Sequence, residues 1–209
     1  MYWSARQPTF RRTLALLVSA ALLNGCTVAG DVYYPVKEAA PRHSTLGFSV
    51  CPPPGKGWYE KHKDDSLVYL KQLSPSTYSI SARATEIHVE NEFRLQQEFY
   101  QYVKKHKEYR KMPAQYRNVQ FRYSNMAGLS PFCVKYQNTY EDHTPAPEPG
   151  ATYYAVKRSG IICMHPESPR DGIDMYYLER SAATFSESQS FENEGERFLS
   201  SLKFYPITR

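Results

Sequence analysis

The sequence contains no Gly-rich phosphate loop, no Gly-x-Ser-x-Gly elbow, no His-Glu-x-x-His pair and no Cys-x-x-Cys. The local signatures of phosphate-loop, α/β-hydrolase, zinc-protease and dithiol chemistry are therefore missing. Cysteine is scarce, with four in 209 residues, and glycine totals ten. No apolar run approaches the roughly 20 residues that a membrane-spanning helix needs. The formal charge is +5, but Arg6, Arg11 and Arg12 supply three of those charges within the first 25 residues, which hold no acid. The remaining +2 is too small for a dedicated nucleic-acid binder, and no nucleic-acid partner is expected. What is present, 41% hydrophobic and 22% charged residues, suits a folded globular chain rather than a disordered one. The length fits one domain with appendages.

The basic residues at 6, 11 and 12 precede an apolar run at 13–23 (TLALLVSAALL). Its length is that of a signal-peptide core and too short to cross a bilayer. The run ends in Leu22-Leu23-Asn24-Gly25-Cys26. With Leu23 three residues before the cysteine and small Gly25 directly before it, this segment resembles the lipobox of bacterial lipoproteins. The resemblance implies a signal peptide at 1–25, a thioether-linked lipid on Cys26, cleavage before it and acylation of the new amino group. Several acyl chains hold a domain at a bilayer where one does so only marginally. The bilayer is then one partner, through Cys26. The alternative is a plain secretory signal followed by a coincidental cysteine. Phe10 before Arg11-Arg12 is a poor match to a twin-arginine signal, so ordinary secretion is expected. Thr27, where some inner-membrane lipoproteins carry Asp, points by analogy to the outer membrane and its periplasmic face.

Residues 26–45 hold Gly30, Pro35 and Pro41 and no sustained period, which reads as a tether, with a short strand possible at 32–34. Residues 46–209 read as one α+β domain. Strands are expected at 46–51, from 57, at 66–73 and at 78–89, the last with Ile80, Ala82 and Ala84 inward and a bulge near Glu86. Residues 91–110 carry Leu95, Phe99, Tyr102, Val103 and His106 on one helical stripe, with acids before it and lysines at its end. Strands follow at 119–124, 132–141, 153–164 and 172–180. A closing helix is expected at 186–204, with Ser186-x-x-Gln189 as a capping box and Gly195 beside Phe191, Phe198, Leu199 and Leu202. Short turns between consecutive strands imply an antiparallel sheet with two packed helices. This order, with Pro54-x-x-Gly57-Trp58 early and Phe198-Leu199-x-Ser201-Leu202-Lys203-Phe204 late, resembles the PsbP/Mog1-like α/β/α sandwich. That resemblance implies a binding or assembly role.

Candidate chemistry is sparse. Asp64-Asp65 and Asp171-x-x-Asp174 lack the Gly and Glu of a calcium loop. In Cys163-Met164-His165-Pro166, Cys163 and His165 share a strand face, and with Cys133 opposite they would suit copper or zinc, or a Cys–His nucleophile pair. An exported chain more commonly spends such cysteines on a disulfide. Setting Cys133 against Cys163 in an antiparallel hairpin fixes opposed positions at a constant sum. Val134 then meets Ile162, Tyr136 meets Gly160 and Tyr140 meets Val156, which collects the apolar residues on one face. The rival is a crosslink from Cys51 to either one; otherwise Cys51 stays a lone thiol. Tyr153-Tyr154 and Tyr176-Tyr177 place one ring on each side of their strands, either as packing or as a protein- or glycan-binding surface. The expectation is a lipid-anchored, non-enzymatic binding or accessory factor for an unidentified envelope protein, with no cofactor. The alternative is an envelope enzyme or metal-handling protein using Cys163, His165 and Cys133.

Overall fold

A computed structural model describes residues 32–63, 65–74, 78–108, 113–144, 151–182 and 191–207, less the side chains at 72 and 74. The signal segment, Cys26, Asp64 and the Ser186–Gln189 capping box lie outside these residues. Among the described residues the elements are β1 (Tyr34–Pro35), β2 (Arg42–His43), β3 (Phe48–Val50), β4 (Tyr59–Lys63), β5 (Ser66–Ser74) and β6 (Tyr78–His88). Then come α1 (Gln96–Glu108), β7 (Tyr116–Asn125), β8 (Cys133–Asp142), β9 (Tyr154–His165), β10 (Ser168–Ala182), α2 (Glu192–Leu199) and β11 (Lys203–Phe204). An eight-stranded sheet runs β1-β4-β5-β6-β10-β9-β8-β7, and a three-stranded sheet runs β11-β3-β2. Every strand pair is antiparallel.

The period-2 pleat sends alternate residues of each strand to opposite faces, and each face has its own cover. On one face Cys133, Ile161, Cys163, Met175 and Tyr177 pack with Phe198 and Leu199 of α2 and with Phe48 and Val50 of the small sheet. On the other, Val134, Tyr136, Ile162 and Met164 pack with Phe99 and Val103 of α1. Residues 159–165 of β9 are consequently buried without interruption, the signature of a strand covered on both sides.

The α+β sandwich expectation is corrected: the fold is β-rich, an eight-stranded antiparallel sheet with a second small sheet and two helices of 13 and 8 residues. Both expected helices were too long. The amides of Arg94 and Leu95 donate to the Glu98 carboxylate at 2.9 and 3.2 Å, which caps α1 at Gln96 and leaves Leu95 exposed. Phe93 packs against Phe99 instead, with ring centroids 5.0 Å apart. After Ser200, Lys203–Phe204 turns extended and pairs with β3. Residues expected in the tether also join sheets: β1 pairs with β4 and β2 with β3. The parity slip near Glu86 is not a bulge, because β6 keeps an unbroken register with β10. Tyr78, Ile80, Ala82 and Ala84 face α2, whereas Ile87 packs into the α1 cluster.

Gly195 sets how closely α2 approaches the sheet. A Cβ there would lie 2.3 Å from Cγ of Tyr177. Gly195→Ala is expected to cost about 1–3 kcal/mol, as overpacking of a filled core does, measured as a lower urea midpoint at unchanged slope.

Candidate functional site

Cys133 and Cys163 are opposed in the β8–β9 ladder and joined in a disulfide, with Cα atoms 4.2 Å apart. This is the close spacing of a non-hydrogen-bonded antiparallel pair. Val134 lies opposite Ile162, Tyr136 opposite Gly160 and Tyr140 opposite Val156, the register the sequence predicts. Cys51 is a half-buried free thiol whose amide donates to Ser201 Oγ at 3.0 Å, so the rival crosslinks are absent.

In this geometry the two sulfurs of the Cys163–His165–Cys133 alternative are joined to each other. His165 is buried, and its Nε2 donates to the carbonyl of Tyr205 at 2.9 Å. Its Nδ1 accepts the Glu167 amide at 3.0 Å. Nε2 thus pins the chain after β11 against the end of β9, while Nδ1 holds the turn that follows β9. Gly47 makes room for that contact: its φ is +77°, and a Cβ would meet Tyr205 O at 2.8 Å and His165 Nε2 at 2.9 Å.

Where β2 crosses β4, β5 and β6, a cleft of about 260 Å³ opens over Phe48, Leu67 and Ala84. Two of its charged residues, Arg42 and Glu86, are bonded within the chain. Arg42 forks onto Glu60, with Nε to Oε2 at 3.1 Å and Nη2 to Oε1 at 2.9 Å, and the Ser44 hydroxyl donates to Glu86.

Most partly buried cations follow the same rule of pairing. Lys71 meets Glu194 at 3.0 Å, and that carboxylate also accepts the Trp58 indole N–H at 2.8 Å. Lys107 meets Asp174 at 2.6 Å, and Asp174 accepts the Tyr136 hydroxyl at 2.8 Å. Lys135 meets Glu196 at 2.8 Å, and Arg180 meets Asp142 at 3.4 Å. Two arginines on the α1 face depart from it. Arg83 donates only to hydroxyls, from Nε to Thr85 Oγ1 at 2.9 Å and from Nη2 to Ser66 Oγ at 3.3 Å. The Arg158 guanidinium lies over the Tyr176 ring, 4.7 Å from its centroid, and its buried Nε has no acceptor. Among the described residues neither arginine is paired with a carboxylate.

The paired tyrosines resolve by face. Tyr177 belongs to the α2-side core. Tyr154 and Tyr176 lie on the α1 side under Arg180 and Arg158, the former guanidinium 3.3 Å from the ring centroid. Sequence reasoning singled out these tyrosines and missed the arginines. The available signal was a charged residue in an apolar setting, Arg83 between Ala82 and Ala84 and Arg158 between Val156 and Gly160.

Burial raises several phenols. Desolvation, reinforced by the adjacent Asp174, holds Tyr136 well above its ordinary value near 10, and desolvation pushes Tyr140 up to about 12. Above pH 10 the unfolded chain loses these protons while the folded chain keeps them. Their stabilisation is complete below pH 10 and is lost as pH rises, through about 12 for Tyr140. Thermal denaturation is expected to show a falling midpoint from pH 10 upward, and Tyr140→Phe should flatten that fall.

No protein-family model and no curated protein matches this chain.

Proposed function

We propose that this chain is an envelope lipoprotein, anchored through acylated Cys26 at the periplasmic face of the outer membrane. Its β-rich domain serves there as a non-enzymatic binding or accessory module for an envelope protein complex. The observation that carries this reading is the ordered series of three arginines, an eleven-residue apolar run and Leu-Asn-Gly-Cys26. The Cys133–Cys163 disulfide is consistent with export to an oxidising compartment. The first strand begins at Tyr34, eight residues after Cys26. Even fully extended, that stretch reaches about 28 Å, which would keep the domain close to the membrane surface.

Metabolic labelling with a tagged fatty acid tests the anchor. The wild-type chain is expected to take up label and sediment with outer membranes. Cys26→Ser should take up none and remain an unprocessed precursor. Normal labelling of Cys26→Ser would end the lipoprotein reading. Affinity capture of the native protein from solubilised membranes would name the partner.

A further inference from the structure

We propose that the part of the large sheet left open on the α1 side, over β4, β5 and β6, lies against an anionic phospholipid surface. The proposal rests on the acylated-Cys26 reading, because the tether is what brings this face to a bilayer. The two faces of these strands differ in cover. On the α2 side Tyr78, Ile80, Ala82 and Ala84 of β6 are buried. The residues between them, Ser79, Ser81, Arg83 and Thr85, are half-buried throughout, as side chains standing on an uncovered face are. The α1 cluster takes in Ile87 at the end of β6 and neither Val68 nor Leu70 of β5.

Charge sorts the same way. On this face β4, β5 and β6 carry Lys61, Lys63 and Arg83 and no acid, the lysines by their register with Val68 and Ser66. The two acids of these strands, Glu60 and Glu86, lie on the opposite face, across from Tyr69 and Ile173. Asp65, in the β4–β5 turn, lines the cleft on that opposite side. Tyr59 stands on the basic face two residues from Lys61 and is 45% exposed. An exposed tyrosine, apolar in body and polar at its tip, suits the headgroup level of a bilayer.

The path of the chain selects a bilayer over a protein. Tyr34 pairs antiparallel with Glu60, so the chain enters β1 from the end of β4 that carries Lys61 and Lys63. Tether and basic residues therefore meet at one edge of the sheet. Eight residues separate that edge from Cys26, a reach of about 28 Å at most. Each cation held near an anionic leaflet favours the docked state about fivefold.

The full mature chain, extracted in detergent, is bound to vesicles of phosphatidylcholine with or without phosphatidylglycerol and treated with a membrane-impermeant amine-reactive reagent. Mass spectrometry then reads the labelling of each lysine. Lys63, exposed at the end of β4, should label several-fold more slowly where phosphatidylglycerol is present, and high salt should restore its rate. Lys203, exposed on β11 in the small sheet, should label alike on both vesicles. Arg83→Gln should lower the docked-to-free ratio about fivefold, and Arg83→Lys should keep it. Lys135→Gln, on the α2 side and paired with Glu196, should leave it unchanged. Equal labelling of Lys63 on the two vesicles overturns the proposal, as does matching protection of Lys203 or protection indifferent to Arg83→Gln. Protection in native membranes but not on phosphatidylglycerol vesicles assigns the face to a protein and overturns it too. Flotation with phosphatidylcholine vesicles reports the anchor separately. A chain that does not float fails the lipoprotein reading and this proposal with it, whereas a chain that floats with Lys63 open fails this proposal alone.

Discussion

Val103→Asp is expected to abolish soluble, folded protein. Val103 and Phe99 are both fully buried and form the contact by which α1 covers Val134, Ile162 and Met164. An aspartate there leaves water and meets no cation, since Lys107 one turn later is held by Asp174. The cost of an unpaired buried carboxylate, added to the lost burial of the valine, is several kcal/mol. That is comparable to the whole stability of a domain of this size. Phe99→Asp should behave alike. Expression with fractionation, followed by circular dichroism on any soluble fraction, checks both. Variants that remain soluble with unchanged melting would mean that this stripe is not a core face. Val103→Ala provides a graded control: it should fold and lose about 1–3 kcal/mol, depending on how far the cavity closes.

The second large effect concerns the hairpin staple. Replacing Cys133 and Cys163 together by alanine is expected to lower stability by about 3–4 kcal/mol, the loop-closure entropy restored to an unfolded chain once tied across a separation of 30 residues. The native hairpin should persist in this variant, because its register is also held by the sorting of apolar residues to the α1 face. Denaturant unfolding of the exported double variant, compared with wild type under non-reducing conditions, gives the number. Peptide mapping of the unreduced wild type should return the 133–163 crosslink and a free Cys51. A Cys51 crosslink would refute the pairing.

How much was legible in the sequence follows from how local each feature is. The β8–β9 register could be read because two cysteines and an alternating apolar set had to agree on one alignment. The cores of both helices were visible as Phe99 and Val103, and as Phe198 and Leu199 with Gly195. Helix ends were not, because a carboxylate cap at Glu98 and the turn after Ser200 are local hydrogen-bond events that leave no period. Two-residue strands such as β1, β2 and β11 are too short for an alternation to register. Undercounting strands and overextending helices together produced the mistaken fold class. Ile87 misled for a different reason: the cover changes sides along β6, so an apolar residue of the opposite parity is still inward. Arg83 and Arg158 stood out only by apolar neighbours; their placement on strands to either side of Tyr176 was out of reach, because nothing in the sequence aligns β6 with β10 across the intervening helix and three strands.

That last alignment has a kinetic meaning. Apart from the two-residue edge strand β1, the large sheet consists of two meanders, β4–β5–β6 and β7–β8–β9–β10, each built from neighbours in the chain. They meet only along the β6–β10 seam, which brings position 88 to 171 at one end and 78 to 181 at the other. Each meander closes short loops, and the seam must close a very long one before its first hydrogen bond is rewarded. Until then β6 and β10 are both bare edges rich in β-formers, open to pairing with other chains. The hazard of this fold therefore lies in the interval before its halves join, at the line that later runs through the middle of the finished sheet.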